Sequence, residues 1–282
     1  MKVAITGGTG FIGYPVVQEL VAKNFEVILI HRSPAPDLIS LPGVTSFPCS
    51  LDASDLPTFQ DIGSPDVLIH LAWGGLPNYH SPHHFETELP NAFRFLSHLI
   101  RTGLRSVTVA GTCFEYGMVS GSLSESLPAL PDNAYGFAKH SLYQQLHFLQ
   151  SQENFGINWV RFFYLYGAGQ GPKSLRTLLE NAVARGDKSF PMSGGQQLRD
   201  FLPVNEAASH FTRLATEHDN AGIVNICSGS PVSVRSLVES WIADHNWTIE
   251  LELGAYPYPD HEPMAFWGDN EKLARILGCS SD

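Results

Sequence analysis

The sequence predicts an α/β fold, a doubly wound parallel sheet with a smaller C-terminal cap. Three observations carry that expectation. Short apolar runs alternate with helix-length periodic segments through the first part of the chain. The first run opens directly into a glycine-rich turn, Gly7 to Gly13. After about Gly167 the texture changes, and Gly and Pro become frequent through 167–172 and 191–195.

The elements follow in order. Residues 2–6 read as a first strand, 11–23 as a helix and 26–31 as a second strand. Residues 44–49 and 66–72 are further strands, with helical sequence near 53–59 between them. Residues 84–102 have the length and periodicity of one long helix, and 105–110 read as a buried strand. A helix over 134–154 and a strand over 157–164 continue the pattern. This βαβα order implies a parallel sheet covered by helices on both faces. Helices at 174–185, 205–217 and 234–244, with a short strand at 223–226, belong to the last part. The division expected is 1–166 for the sheet domain and 167–282 mainly for the cap, with later strands returning to the sheet.

Composition bounds the function. The chain has 282 residues, 43% of them hydrophobic and 16% charged, with a net charge of −11. That balance suits a globular chain with a sizeable core and argues against nucleic acid or an anionic membrane as partner. The four cysteines, at 49, 113, 227 and 279, match no zinc or CxxC spacing. No stretch approaches ~18 apolar residues. The start reads as a strand rather than an apolar leader, so a reduced, cytoplasmic setting is expected.

The strongest local motif is Thr6-Gly-Gly-Thr-Gly-Phe-Ile-Gly13. Gly7, Gly10 and Gly13 stand where a backbone must turn sharply or approach a pyrophosphate without a Cβ in the way. The following helix aims its free N–H groups and positive end at the same place. A strand before and a helix after are the context this motif requires, so a Rossmann dinucleotide site is expected. Thr9, Phe11 and Ile12 belong to the same turn, and Leu71 and Ala72 to the end of the fourth strand. Ser50 and Leu51, after the third strand, border the adenine in this reading. The second strand ends in His31-Arg32-Ser33 rather than in a carboxylate. A carboxylate there would bind the ribose of NAD, whereas Arg32 can pair with a 2′-phosphate. NADP(H) is therefore favoured over NAD(H), with a solvated loop charge as the alternative for Arg32.

Tyr135 and Lys139 are four apart at the start of a predicted helix and so share a face. A free phenol has a pKa near ~10, too high for neutral acid–base work, and a nearby ammonium would lower it. Tyr135 can then exchange a proton with an alcohol oxygen, and Lys139 can also hold the nicotinamide ribose. Thr112, at the end of the strand after the long helix, supplies a hydroxyl to orient that oxygen.

With these residues in place the chain resembles the extended short-chain dehydrogenase/reductases that act on nucleotide sugars. The matching segments are TGGTGFIG at 6–13, HLA at 70–72, GTCFEYG at 111–117, YGFAK at 135–139, RFFYLYG at 161–167 and RDFLPV at 199–204. They stand in the family's order and span nearly the whole chain. Departures narrow what the resemblance implies. The family's 4,6-dehydratases carry Thr-Asp-Glu where this chain has Thr112-Cys113-Phe114, so dehydration is not expected. Its 4-epimerases hold NAD through a carboxylate that His31-Arg32 replaces. GTCFEYG, YGFAK and SGGQQLRDFLPV are similar to bacterial 4-keto-6-deoxy-sugar nucleotide reductases of the dTDP-6-deoxy-L-talose 4-dehydrogenase type. The resemblance implies reduction at C4 of a nucleotide-linked 4-keto sugar, with an epimerase holding NAD or a non-catalytic NADP(H) sensor as alternatives.

The resemblance also implies substrate contacts. Arg199 falls where relatives place an arginine on the substrate diphosphate; the alternative is a surface pair with Asp200. Tyr164 replaces an Asn common in relatives. Lys173, Ser174 and Leu175 are candidates for base or phosphate contacts. Trp73 and Tyr79 either wall the sugar pocket or fill the core. Cys113 reads as a packed pocket residue beside Phe114 rather than as a base. His80, His83 and His84 read as a solvated loop rather than a metal site, and no metal is expected at Asp260-His261-Glu262 either. Relatives pair through helices equivalent to 84–102 and 134–154, so a homodimer is possible by resemblance.

Overall fold

A computed structural model describes residues 1–258 and 262–278. The elements run β1 (Lys2–Thr6), α1 (Gly13–Ala22), β2 (Glu26–His31), α2 (Pro36–Ile39), β3 (Val44–Pro48), β4 (Val67–His70), α3 (Leu89–Thr102), β5 (Ser106–Thr112), β6 (Gly121–Leu123), α4 (Ala134–Leu149), β7 (Gly156–Phe162) and β8 (Tyr164–Tyr166). They continue with α5 (Leu175–Arg185), β9 (Ser189–Met192), β10 (Leu198–Pro203), α6 (Val204–Glu217), β11 (Gly222–Ile226), β12 (Pro231–Ser233), α7 (Val234–Asp244), β13 (Glu250–Leu253), β14 (Phe266–Gly268) and α8 (Glu271–Leu277).

Seven strands form one sheet in the order β3-β2-β1-β4-β5-β7-β11, with every neighbouring pair parallel. Strand order reverses between β1 and β4, which opens a crevice at their carboxyl ends. Alternation along each strand supplies the two faces of the sheet. Val3 and Ile5 join Val16 and Leu20 of α1 and Phe211 and Leu214 of α6 in one core. Ala4, with Leu68 and Val107, joins Phe95 and Leu99 of α3 and Leu142 and Leu146 of α4 in the other. A third core, around Leu179, Phe190, Val238 and Trp241, holds α5, α7 and the β9–β13 pair together over the crevice. Residues 204–226 leave that region again: α6 packs beneath the sheet and β11 adds its last strand.

Several elements differ from the sequence expectation, most of them for a local reason. Residues 53–59 are turn and bend, not helix. Pro57 bars helical geometry from Leu56, and the Asp61 carboxylate accepts from the Thr58 N–H and hydroxyl at 2.9 and 2.7 Å, closing a turn. The expected long helix from His84 begins instead as a π-turn, His84–Glu88, before α3. Pro90 has no N–H to continue an α ladder back into that turn. The fourth long helix stops at Leu149, where the Ser151 hydroxyl donates to the Phe148 carbonyl at 2.7 Å. The strand expected over 157–164 divides at Phe163 into β7 and β8. α1 starts at Gly13, two residues after the expected start.

Candidate active site

The glycine turn is built by close approach. Gly7 has φ of +70°, and a Cβ there would lie 2.5 Å from the Ala72 amide nitrogen at the end of β4. A Cβ on Gly13 would strike the Gly7 carbonyl. Thus Gly7 and Gly13 let β1, β4 and α1 converge. Gly10, whose N–H donates to the Gly7 carbonyl at 3.0 Å, lines the cavity at the head of α1. The Thr6 hydroxyl bridges to His70 Nδ1 at 2.9 Å and tethers the turn from below. A bare backbone at a helix start, open to a cavity, fits a pyrophosphate. Gly7, Gly10, Phe11, Ile12, Gly13 and Leu71 would hold such a group here.

One cavity of about 610 Å³ runs from that turn, across the end of β5, to the cap. At its centre stands Tyr135, in the first turn of α4. That turn is capped by the Asn133 side chain, which accepts from the Gly136 N–H at 2.8 Å. The Tyr135 N–H donates to the Tyr79 carbonyl at 2.9 Å. Its ring packs against His84, Tyr79, Trp73 and Phe114, with centroids 5.2 to 6.4 Å away. Thr112 faces the same space from the end of β5.

Lys139 is buried on the same face of α4. Its Nζ donates to the Ala110 carbonyl at 2.8 Å and lies 3.9 Å from the Trp73 ring centre. Trp73 in turn donates to His84 Nδ1 at 3.1 Å, and His84 Nε2 meets the Asn78 carbonyl at 2.9 Å. His84 is therefore a buried link in the site and not part of a solvated loop. His83 pairs with Glu88 at 2.9 Å. No group of His, Cys, Asp or Glu among the described residues is arranged to hold a metal, and Asp260 and His261 lie outside them.

The electrostatics depart from the expected scheme. Burial raises the Tyr135 phenol above its ordinary value, with Tyr79, Cys113 and Glu115 adding to it and the Thr112 hydroxyl opposing. Burial lowers the Lys139 ammonium itself to about 7, against the pull of Glu115 and Glu88. The protein environment alone keeps Tyr135 protonated, the state of a proton donor. Burial also raises the Cys113 thiol, which fits a packed residue rather than a base.

On the cap side, Arg199 lines the cavity but is not paired with Asp200. Alternation along β10 turns the two apart. Asp200 accepts from Ser228, Gly229 and Gly268 N–H groups at 2.7, 2.9 and 3.2 Å. Arg199, 3% exposed, donates to Glu262 Oε2 and to the Leu198 carbonyl at 2.9 Å, with its guanidinium 4.5 Å from the Phe266 ring centre. The Tyr164 hydroxyl and the Gln197 Oε1 are buried in this wall, the former close to the Glu262 carboxylate. Ser174 caps α5, accepting from the Thr177 N–H at 3.3 Å. Ser174 and Leu175 line the cavity, whereas Lys173 is exposed and outside its lining.

The structure does not bring every expected residue together. His31, Arg32, Ser50 and Leu51 lie towards the β3 edge of the sheet, beyond the cavity lining; Thr9, in the glycine turn, is also outside that lining. His31 is buried, with Nδ1 on the Ser33 carbonyl at 2.8 Å and Nε2 on the Ser46 hydroxyl at 2.7 Å, so it braces the loop. Arg32 is exposed. Asp52 shares that edge; its carboxyl is held below the usual range chiefly by the Ser50 hydroxyl, with Arg32 contributing. Sequence reasoning missed Gln197, Glu262 and Arg176 in the cavity wall, and Glu115 beneath it.

Residues 3–227 match the model of the NAD dependent epimerase/dehydratase family. The chain is 31% identical to dTDP-6-deoxy-L-talose 4-dehydrogenase (NAD(+)) of Aggregatibacter actinomycetemcomitans, over 95% of this chain and 99% of that one. It is 28% identical to the NAD(P)(+) enzyme of that name from Kitasatospora kifunensis, over 92% and 83% of the two chains. Among solved structures, MoeE5 in complex with UDP-glucuronic acid and NAD superposes with a TM-score of 0.83 at 25% identity, covering 100% of this chain and 94% of that one.

Proposed function

The chain belongs to the NAD dependent epimerase/dehydratase family, and from that premise we propose that it is an NADPH-dependent reductase of a nucleotide-linked 4-keto-6-deoxy sugar, dTDP-linked by preference. One observation carries the reading. A protonated phenol, Tyr135, stands with Thr112 in a cavity that begins at the glycine turn. No carboxylate occupies the two positions after Thr112, where Cys113 and Phe114 stand. The residues present suit carbonyl reduction better than loss of water.

A dinucleotide with its pyrophosphate on the glycine turn would supply the hydride from its nicotinamide. Thr112 orients the C4 oxygen with its hydroxyl. Tyr135 gives its proton to that oxygen as negative charge develops on it. The Lys139 ammonium, held against the Trp73 face, adds positive charge beside the reacting group and loses it as pH rises through about 7. The aromatic ring of Tyr79, His84, Trp73 and Phe114 excludes water from Tyr135. Arg199 meets the substrate's diphosphate, exchanging its Glu262 contact for phosphate oxygens.

Arg32 favours the 2′-phosphorylated cofactor, against the repulsion of Asp52. The two curated relatives split on this point, one named for NAD(+) and the other for NAD(P)(+). Exposed Phe85, Phe137 and Phe148, on the π-turn and α4, suit pairing of two copies.

The test is oxidation of reduced nicotinamide with dTDP-4-keto-6-deoxyglucose, using NADPH beside NADH and a CDP- or GDP-linked analogue. Fast oxidation with the dTDP sugar is expected, with NADPH preferred. Arg32→Ala should weaken NADPH by about tenfold, the loss of one charge-assisted contact, and leave NADH unchanged. No oxidation with any keto sugar would overturn the reductase reading. Tightly held NAD in the purified protein would then turn it towards an epimerase.

A further inference from the structure

Glu115 is fully buried and takes no part in the chemistry above. It lies three residues after Thr112, on a 3-10 turn at the end of β5. Its Oε1 accepts from the Thr112 N–H at 3.0 Å and from Trp159 Nε1 at 2.9 Å. Its Oε2 accepts from Arg161 Nε at 2.9 Å, and Arg161 is itself only 1% exposed. In return the Thr112 hydroxyl oxygen accepts from the Phe114 N–H at 3.3 Å, which completes a capping box. A hydroxyl that accepts there keeps its own proton free to donate into the cavity. The same carboxylate lies 3.8 Å from the ring of His140, the neighbour of Lys139 on α4.

Burial pushes the Glu115 carboxyl up, but His140, Arg161 and the N–H donors together hold it below its ordinary value, so it remains an anion. The charged and titratable groups that face Lys139 are Glu115, Glu88, His84, His70 and Tyr135. Of these, Glu115 and Glu88 favour the ammonium.

We propose that Glu115 is a positioning residue of the active site: it pins Thr112 by its backbone so that the hydroxyl meets the reacting oxygen, and it places a buried negative charge on the side of α4 that carries Lys139. This rests on the catalytic reading of Thr112, Tyr135 and Lys139. A small misplacement of an orienting group is costly because the reacting atoms must align.

The experiment is Glu115→Gln, made alone and with Thr112→Val, assayed for kcat, KM and the pH profile of kcat with the dTDP keto sugar. Alone, Glu115→Gln should lower kcat about 10- to 100-fold with KM nearly unchanged. In the Thr112→Val background it should change kcat by less than about twofold, since the oriented hydroxyl is already gone. The alkaline limb should move to lower pH, because one charge favouring the ammonium is lost. Glu115→Asp keeps the charge but is one methylene short of Thr112; it should restore the limb and not the rate. Equal losses in both backgrounds with an unmoved limb would overturn the proposal and leave Glu115 as core structure. If Tyr135→Phe retains turnover, the catalytic reading fails instead; if Tyr135→Phe is inactive while Glu115→Gln is normal, only the positioning role fails.

Discussion

The two walls of the cavity are built on different principles. On the sheet side, each reactive group stands on a regular element of the sheet domain or on the turn that follows it. Gly7 turns at the end of β1, and Tyr135 and Lys139 share one helix face. On the cap side, placement depends on contacts between distant segments. Arg199 owes its position to Glu262, 63 residues later. The sheet wall is rigid scaffold with chemistry mounted on it, whereas the cap wall is held partly by the groups that would meet the substrate. A substitution should therefore separate chemistry from stability on one side and join them on the other.

Tyr135→Phe probes the first half of that contrast and has the largest expected effect. It removes only the proton donor and keeps the ring among its aromatic neighbours. Turnover should fall roughly 10²–10⁴-fold, the usual worth of a general acid, with cofactor affinity and melting temperature nearly unchanged. Near-normal turnover would remove Tyr135 from the mechanism.

Arg199→Ala probes the second half. It leaves Glu262, 16% exposed, without its cation. Losing one partner of a buried pair costs about 3 kcal/mol, discounted somewhat here by that exposure. Stability and KM for the nucleotide sugar should worsen together, and Arg199→Ala with Glu262→Gln should recover stability but not KM. Separate behaviour, with KM raised at unchanged stability, would show the cap wall to be scaffold like the sheet wall.

The same contrast explains what could be read from the sequence. Periodicity and glycine spacing are local signals, so the sheet, the pyrophosphate turn and the Tyr135–Lys139 face were legible. Leu56-Pro57 was also a local signal, and it would have corrected the false helix over 53–59. Adjacency in the sequence suggests an Arg199–Asp200 pair, yet strand alternation sends adjacent side chains to opposite sides. Glu262 stands beside Asp260 and His261 in the sequence, while its partner is Arg199, which only folding brings near. Thr112-x-x-Glu115 carried the capping-box spacing in plain view; what the spacing does not reveal is that Trp159 and Arg161 of β7 converge on the same carboxylate.

At neutral pH the smallest effect expected concerns His70, which supports the glycine turn through Thr6. It is fully buried, and burial, aided by Lys139, lowers its pKa to about 3. The folded value therefore lies below the unfolded one of about 6.5. Between those limits the unfolded chain binds a proton that the folded chain refuses. Stability contributed by neutral His70 is complete above the unfolded value and declines as pH falls towards about 3, by at most ~1.4 kcal/mol per pH unit. Denaturant unfolding between neutral pH and the onset of acid denaturation measures that slope. His70→Asn retains a side chain able to bond the Thr6 hydroxyl but does not titrate, so its slope should be shallower than that of the parent chain. An equal slope would mean that protonated His70 is accommodated, and the sheet wall would then be less rigid than its packing implies.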